Sequence, residues 1–393
     1  MQLSKFVLAA SSAALLSVFA STGVCADGIA FPQAPDGSPD HAPGLWSSAV
    51  VNVKCDDRTE DTAKLSRAIA ASKPGDRIQI HGTCLVDKTI VLQGDRSYLG
   101  DSRTGTVIRQ APGANLTALI ASDSWANDSA YTGDPIRIAH MTLAGNSSSN
   151  SLTSVLVIRS WLTVIEDLQI LNAPEDGLQL TSVSANGTPL SNTQVNGRIS
   201  NCFIRNSKRN GIHIVDPVNS VTDWSLLDNW VANSGGSAIS MENAAGWTIR
   251  GNHVYAIQQN AIYANRCFGT TIDGNYIEDF GDSGGAGSTW YGVACTVQGG
   301  AASVISDNKI FQVSGEPSSG NFVYIGIPQV NYGTGTINVV DNINRGANGS
   351  HDTGLSYEKG GGVGLLVLSA DNNVQSAGKP RSVGAGVTLV NGL

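Results

Sequence analysis

The chain has 393 residues, of which 41% are hydrophobic, 14% are charged and 45 are glycine. The apolar content suffices for a large core, and many glycines with few charges favour a turn-rich β protein over a helical one. A formal net charge of -8, without any Lys/Arg-rich run, argues against a nucleic-acid partner.

The first 26 residues have the pattern of a signal peptide. Lys5 precedes an apolar run at Val7–Ala20, and Val24-Cys25-Ala26 resembles a cleavage site. The run is too short for a membrane span, and no later run reaches about 18 apolar residues. We therefore expect no membrane span and a mature protein that is secreted or periplasmic. Lipidation of Cys25 is the alternative, although the preceding valine fits that motif poorly.

Residues 27–50 are rich in Pro, Gly, Asp and Ser, which predicts an extended leader. A helix is predicted at Asp61–Ser72, with Asp61 as its cap. Leu65 and Ile69 lie four residues apart and would share its buried face. Two strands are predicted after the helix, at Arg77–His81 and Thr89–Leu92.

Of the six cysteines, five follow the predicted cleavage site, so at least one is unpaired. Cys55 and Cys84 flank the predicted helix and the first strand, and we predict a disulfide between them, which export makes chemically feasible. The other three do not have the spacing of metal ligands. We expect them to be ordinary core or surface residues: Cys202, Cys267 and Cys295.

A short motif recurs through the middle of the chain: Asn, one variable residue and an apolar residue. Its members begin at Asn201, Asn229, Asn252, Asn275 and Asn308, with spacings of 28, 23, 23 and 33 residues. A fixed period with insertions is typical of a solenoid. Asn tolerates the left-handed backbone that a bend between short strands requires, and stacked Asn side chains can hydrogen-bond to one another.

A second element follows each motif and consists of a small residue and then alternating strand residues. Its copies are Asp176–Leu180, Asn210–Ile214, Ser237–Met241, Asn260–Ala264 and Tyr291–Cys295. We predict that these first strands form one parallel sheet, in an all-β, right-handed parallel β-helix over residues 51–393 with a short N-terminal capping helix. An antiparallel sandwich is the alternative, but it does not explain the aligned repeats.

The segment Asp56–Ala63, the helix after it and Gly82–Leu85 resemble the start of pectate-lyase-like β-helix proteins. That superfamily includes polysaccharide lyases, glycoside hydrolases, epimerases and phage tailspikes, so the resemblance implies a polysaccharide substrate. A more local stretch, Glu242–Gly246 with Gly251-Asn252, is similar to the inulin fructotransferases. Those β-helix enzymes cleave fructans by intramolecular transfer as trimers, which implies carboxylate chemistry and a homotrimer as one candidate assembly.

Alignment of the first strands places the outward side chains of successive coils in columns with a spacing of about 4.8 Å. One column contains Gln179, His213, Ser240, Tyr263 and Ala294. The next contains Thr181, Val215, Glu242, Asn265 and Thr296. Further charged residues lie at the ends of these strands: Glu175, Asp176, Lys208, Arg209, Asp216 and Arg266. This face is the predicted substrate groove.

Glycosidic hydrolysis or transfer requires a carboxylic acid and a second carboxylate. We predict that Glu242 and Asp216, on adjacent coils, form this pair, and that Asp176 and His213 are further catalytic candidates. The remaining polar residues of the face are predicted to bind substrate: Glu175, Lys208, Arg209, Tyr263, Asn265 and Arg266.

Metal-free β-elimination on a uronic-acid polymer is the first alternative. It requires a base and a cation that neutralises the uronate carboxylate. These roles suit His213, Tyr263, Lys208, Arg209 and Arg266. A calcium-dependent lyase needs about three converging acidic ligands, and the sequence has no clear cluster of that kind, so we expect no cofactor.

A non-enzymatic carbohydrate-binding protein or adhesin is the second alternative. Two better-known enzyme signatures are missing. Polygalacturonase-type hydrolases carry an acid pair where this chain has Lys208-Arg209, and the epimerase motif Asp-Pro-His-Glu is matched only in its first two residues by Asp216-Pro217-Val218-Asn219. The groove can therefore be predicted from the sequence more securely than its reaction.

Overall fold

Short parallel β-strands account for nearly all regular structure in the computed structural model of the chain. The structure describes residues 48–347 and 349–391, so the predicted signal peptide and nearly all of the predicted leader lie outside the described residues. Within them, no helix has the length and apolar character needed to cross a membrane.

Eleven described strands form one sheet, here called the groove sheet, to which each successive coil adds one strand. They are Ile90–Leu92, Ala118–Ser122, Ser154–Ile158, Leu178–Thr181, Ile212–Val215, Ile239–Met241, Ile262–Cys267, Thr289–Val297, Asn321–Ile327, Asp352–Tyr357 and Lys379–Val383. Their inward residues, such as Leu178, Ile212 and Ile239, pair in register and are fully buried. Burial of each such side chain contributes about 1.5–3 kcal/mol.

A second, strongly bent sheet of 21 described strands, here called the rear sheet, closes the other sides of the coils. Its strands are Val50–Lys54, Arg77–Val86, Arg96–Gly100, Thr106–Gln110, Ile136–Ala144, Val164–Leu171, Arg198–Ser200, Phe203–Arg205, Ser225–Leu227, Trp230–Ala232, Thr248–Arg250, His253–Ile257, Thr271–Asp273, Tyr276–Phe280, Ser303–Ser306, Lys309–Phe311, Thr334–Val340, Ile343–Arg345, Gly364–Ala370, Asn373–Gln375 and Val387–Asn391. Gln194–Val195 and Val221–Thr222 form a small additional pair.

The predicted N-terminal helix is present at Glu60–Ala71, and Leu65 and Ile69 are buried on its inner face. We predicted Asp61 as the helix cap, but it lies inside the first turn of the helix. Its buried carboxylate accepts hydrogen bonds from the backbone N–H groups of Arg58 (3.0 Å) and Leu85 (3.4 Å), so it ties the helix to the first coil. A second, short helix spans Asp123–Ala126.

The structure contains two disulfides that join neighbouring coils. One is the predicted pair, Cys55–Cys84. The other joins Cys267 to Cys295, which we expected to be ordinary residues. The sequence separations are 29 and 28 residues, each about one coil. This similarity is the sequence signal from which the second disulfide could have been predicted. Cys202 is buried and unpaired in the described part of the chain.

The motif asparagines form a buried ladder inside the bend of the rear sheet. Each side-chain amide donates to the side-chain oxygen of the next coil at 2.8–3.0 Å. The ladder residues are Asn229, Asn252, Asn275, Asn308, Asn342 and Asn372. Each of the first five amides also donates to a backbone carbonyl of an adjacent coil, so the ladder satisfies polar groups that would otherwise be buried without partners.

We predicted that the ladder Asn takes the left-handed conformation at the bend. In the structure, the residue before it takes that conformation. Asp228, Gly251 and Gly274 have φ values of 55°, 65° and 62°. The first motif is also shifted by one residue, because Phe203 pairs with Trp230. Asn201 therefore takes the bend position, with φ 54°, and the neighbouring cysteine takes the ladder position.

Removal of one ladder side chain should destabilise the whole stack. In Asn252→Ala, the backbone N–H of Asn229 and the carbonyl of Leu226 lose their partners, which should cost roughly 2–6 kcal/mol at 1–3 kcal/mol for each buried group. Urea unfolding followed by circular dichroism measures this loss. Asn373→Ala, at an exposed asparagine, is the control and should change stability by less than about 0.5 kcal/mol. Equal effects of the two variants would contradict the role of the ladder.

A pair of acids, partly buried Glu316 and buried Asp352, lies near the last groove-sheet strands. Tyr324 donates its hydroxyl to Glu316 at 3.0 Å. Burial, followed by the neighbouring Asp352 carboxylate, raises the pKa of Glu316 from 4.5 to about 8. Because this pKa is raised on folding, the protonated form stabilises the fold fully below pH 4.5, and this stabilisation is lost as the pH rises through about 8.

The unfolding temperature should therefore decrease between pH 4.5 and about 8, and Glu316→Gln should flatten that decrease because the amide stays neutral. Differential scanning fluorimetry across this range tests the prediction. Glu242→Gln, which alters an exposed carboxylate, should keep the wild-type slope. If Glu316→Gln keeps the wild-type slope, Glu316 is not the source of the pH dependence of the unfolding temperature.

Candidate functional site

The predicted outward column is present on the groove sheet. The strand register pairs Gln179 with His213, His213 with Ser240, and Ser240 with Tyr263. Tyr263 in turn pairs with Ala294. Since parallel strands are about 4.8 Å apart, Gln179 and Tyr263, which are 84 positions apart in the sequence, share one surface, whereas Ala294 is fully buried.

Asp176 is the buried centre of the charged cluster on this surface. Its side chain is fully buried and accepts hydrogen bonds from Arg209 Nε (2.8 Å) and from the backbone N–H of Asn210 (3.0 Å). His213 Nδ1 lies 2.8 Å from Asp176 Oδ2. Burial alone would raise the pKa of Asp176, but the hydrogen bonds from His213 and Arg209 outweigh it and lower that pKa to about 2.

These contacts assign Asp176 a different role from the catalytic acid that we predicted. An ionised carboxylate that is closed off from the groove cannot reach a substrate, but it can orient its two partners. Because it only accepts hydrogen bonds, it fixes the proton of neutral His213 on Nδ1. Nε2 then carries the lone pair that a general base requires, and His213 is one of the outward residues of the groove sheet.

Arg209 lies beside this histidine at the edge of the groove, with its side chain 48% exposed. It contacts both acids before the strand, because its Nη1 is 3.2 Å from Glu175 and its Nη2 is 2.5 Å from Asp176. Of its five N–H donors, two are used in hydrogen bonds to Asp176, from Nε and Nη2. Lys208 is exposed next to it, without a side-chain partner among the described residues.

A cleft of about 310 Å³ adjoins the cluster. Arg209 and Glu175 line one side of it, and Gln179 and Val215 belong to the groove-sheet strands. Trp125, from the second helix, lines it as well. We did not predict Trp125. The available signal was the apolar character of the outward residues at this end of the sheet, since a buried apolar face requires a cover.

Asp216 and Glu242 do not form the predicted catalytic pair. Asp216 is 1% exposed, and its carboxylate accepts hydrogen bonds from the backbone N–H groups of Ser220 and Val221, both at 2.8 Å, and from the Asn243 amide at 2.7 Å. It therefore stabilises a turn. Glu242 is exposed and accepts a hydrogen bond from the Asp216 backbone N–H at 2.8 Å.

The other predicted binding residues lie two coils further along the groove, about 10 Å from His213. Tyr263 contacts the ring of Tyr291 with a centroid distance of 6.3 Å. Asn265 accepts a hydrogen bond from the Thr296 hydroxyl. Arg266 donates from Nε to Gln298 at 2.9 Å. These residues can contact an extended substrate, but they are separate from the Asp176 cluster.

The acidic side chains of the groove lie next to nitrogen donors. Across the described residues, no three His, Cys, Asp or Glu side chains are grouped as metal ligands. The acids of the groove instead face nitrogen donors, as the contacts of Asp176 and Asp216 illustrate.

Two solved structures have a similar fold. The A-module of the mannuronan C-5 epimerase AlgE6 from Azotobacter vinelandii matches with a TM-score of 0.52 and 15% identity, over 86% of this chain and 97% of that one. The surface protein and adhesin PfbA from Streptococcus pneumoniae matches with a TM-score of 0.55 and 12% identity, over 87% of this chain and 100% of that one. No protein-family model and no curated protein sequence matches the chain. The described chain is a right-handed parallel β-helix, the fold that its resemblance to the pectate-lyase-like superfamily predicts.

Proposed function

We propose that this chain is a secreted enzyme that cleaves a uronic-acid polysaccharide by β-elimination, with His213 as the base. The observation that carries the proposal is the arrangement of His213 and Arg209 around the buried, ionised Asp176. A base and a cation side by side are what elimination requires, whereas hydrolysis requires two accessible carboxyl groups.

The placement of the two groove acids Glu175 and Glu242 supports elimination over hydrolysis. Glu175 precedes the strand Leu178–Thr181, and Glu242 follows the strand Ile239–Met241, two coils later. They lie at opposite edges of the groove sheet and are separated along its axis by about 10 Å as well. Glycosidase pairs are about 5–9.5 Å apart, so this arrangement disfavours the hydrolase or fructotransferase prediction.

In the proposed step, His213 Nε2 removes the proton from C5 of the uronate. The C5–H electrons form the C4=C5 double bond while the bond between C4 and the glycosidic oxygen breaks. That oxygen leaves with a proton from the imidazolium or from water. The products are a fragment that ends in a 4,5-unsaturated uronate and a fragment with a new hydroxyl, so atoms and charge balance.

Arg209 would hold the uronate carboxylate through the N–H donors that Asp176 does not use, with Lys208 beside it. Negative charge develops on that carboxylate as C5 loses its proton, and a fixed cation stabilises it in the transition state. One fold neighbour is named as a mannuronan epimerase, and the uronate units of that substrate carry the same carboxylate group. An adhesin is also among the fold neighbours, so the test must include a binding-only outcome.

The direct test incubates the protein with a panel of uronate and neutral polysaccharides. We expect products from at least one uronate polymer that absorb in the ultraviolet, as an unsaturated uronate does, and none from neutral glycans or fructans. New reducing ends without this absorbance would indicate a hydrolase. Binding without any product across the panel would indicate a carbohydrate-binding protein or adhesin.

His213→Gln should lower kcat of the folded protein by about 10²–10⁴-fold, because it removes the general base. It should also cost some stability, because the buried Asp176 loses one of its hydrogen-bond donors, so kcat is measured for the folded fraction. The matched control is His81→Gln. His81 also pairs with an aspartate, Asp101, at 2.7 Å, but it belongs to the rear sheet. Retained activity in His213→Gln would remove this residue from the reaction. Loss of activity in Glu242→Gln would instead restore the carboxylate mechanism.

Asp176→Asn should impair both stability and activity. Arg209 and His213 lose their shared anion, and breakage of a buried ion pair costs about 3–5 kcal/mol. Asp101→Asn, at a half-exposed pair, should cost less than about 1 kcal/mol. Urea unfolding measures stability, and kcat for the folded fraction measures orientation. An Asp176→Asn protein with wild-type stability and kcat would contradict the anchoring role.

A further inference from the structure

We infer that the substrate groove is closed at its N-terminal end by a wall built around Trp125, so that the enzyme works from the ends of polymer chains. The inference rests on the proposed function for its substrate class. It concerns a separate property of the molecule, which is how far a polymer can extend past His213 in each direction.

Trp125 belongs to the short helix Asp123–Ala126. It is 8% exposed and packs on Ala118, Ala121 and Val157, of which Ala121 and Val157 belong to the outward column of the groove sheet. A large indole over small apolar side chains excludes water from this part of the sheet. A sugar cannot lie flat on Ala121 and Val157 unless the indole moves.

The groove floor changes character at the next strand. Ala121 pairs with Val157, and Val157 pairs with Gln179, so the three lie in one column with His213 after them. Ala121 and Val157 are buried, whereas Gln179 is polar and partly exposed. Two strand spacings, about 10 Å, therefore separate His213 from the covered surface.

The wall is anchored by a buried arginine. Arg159 is 1% exposed. It donates to the hydroxyl and carbonyl oxygens of Ser124 at 2.7–2.9 Å and to the carbonyls of Ser129 (2.5 Å) and Tyr131 (3.1 Å). It also donates to the Ser184 hydroxyl.

A guanidinium with this many partners holds residues 123–131 against the coil on which Arg159 lies. The segment after the strand Leu178–Thr181 joins the wall as well, because the Ala185 N–H donates to the Trp125 carbonyl at 3.2 Å. Two separate stretches of chain thus hold the backbone that carries the indole, so the wall belongs to the resting fold and does not require closure on substrate.

The cleft of about 310 Å³ lies directly against this wall, since its lining includes Trp125, Val183 and Ser184 together with Arg209 and Gln179. It also reaches the edge of the two preceding coils at Thr117, Leu152 and Ser154. On the other side of His213, the floor remains accessible at Ser240 and Tyr263 and is covered again at Ala294. A chain held by Arg209 can therefore extend over two coils toward Tyr263, whereas toward Trp125 the cleft has room only for a short terminal fragment.

The test follows products over time on a uronate polymer that the enzyme cleaves, by anion-exchange chromatography with mass spectrometry. We expect one small unsaturated product, a mono- or disaccharide, from the earliest time points. At equal polymer mass, the initial rate of the wild-type enzyme should rise in proportion to the number of chain ends as shorter chains are supplied. This second measurement needs no variant.

Trp125→Ala should open the wall and shift early products toward longer, mixed oligosaccharides. The matched control is Trp230→Ala, at a 41% exposed tryptophan of the rear sheet, and it should keep the wild-type product size. Mixed oligosaccharides from the wild-type enzyme at the outset, with a rate independent of chain ends, would overturn the wall while the proposed elimination stands. If no uronate polymer gives an unsaturated product, the proposed function fails, and this inference fails with it.

Discussion

The backbone hydrogen bonds between successive coils are the constraint on which the rest of this molecule depends. Each coil pairs in parallel register with the coil before it and the coil after it, so every side chain acquires a defined neighbour about 4.8 Å above and below. A polar residue inside the stack must therefore be satisfied by its counterpart one coil away. The asparagine ladder meets this requirement inside the rear sheet, and the Asp176 cluster shows the same rule on the groove side.

Asp176 and His213 illustrate how the register creates chemistry in a chain with few charges. They are 37 residues apart in the sequence, yet their side chains are in contact at 2.8 Å. Isolation of the carboxylate from solvent is tolerated because Arg209 and His213 supply strong donors, and their hydrogen bonds keep it ionised. The resulting site presents nitrogen atoms to the groove and withholds the acid, which is the reverse of the arrangement we expected from residue types alone.

The sequence was sufficient for the repeat, the groove column and the first disulfide, because alternation within a strand and a constant spacing between strands are local signals. It was insufficient where a residue lies at a corner. Asp216 follows a strand as Glu242 does, but three hydrogen-bond donors from its own turn and from the next coil bury it. Trp125 was not predicted either, because it lies in a short helix outside the repeat and its contact with Val157 joins it to another coil.

The uneven spacing of the ladder has a consequence for how such a molecule can diversify. The ladder bond that spans 23 residues and the one that spans 33 residues are both 2.9 Å long. Ten additional residues at a corner therefore leave the interior stacking unchanged, and lengthening a loop costs only a slowly growing chain entropy. Corner segments can be exchanged or extended while the scaffold keeps its stability, so substrate preference in this architecture can evolve by remodelling the rim of the groove.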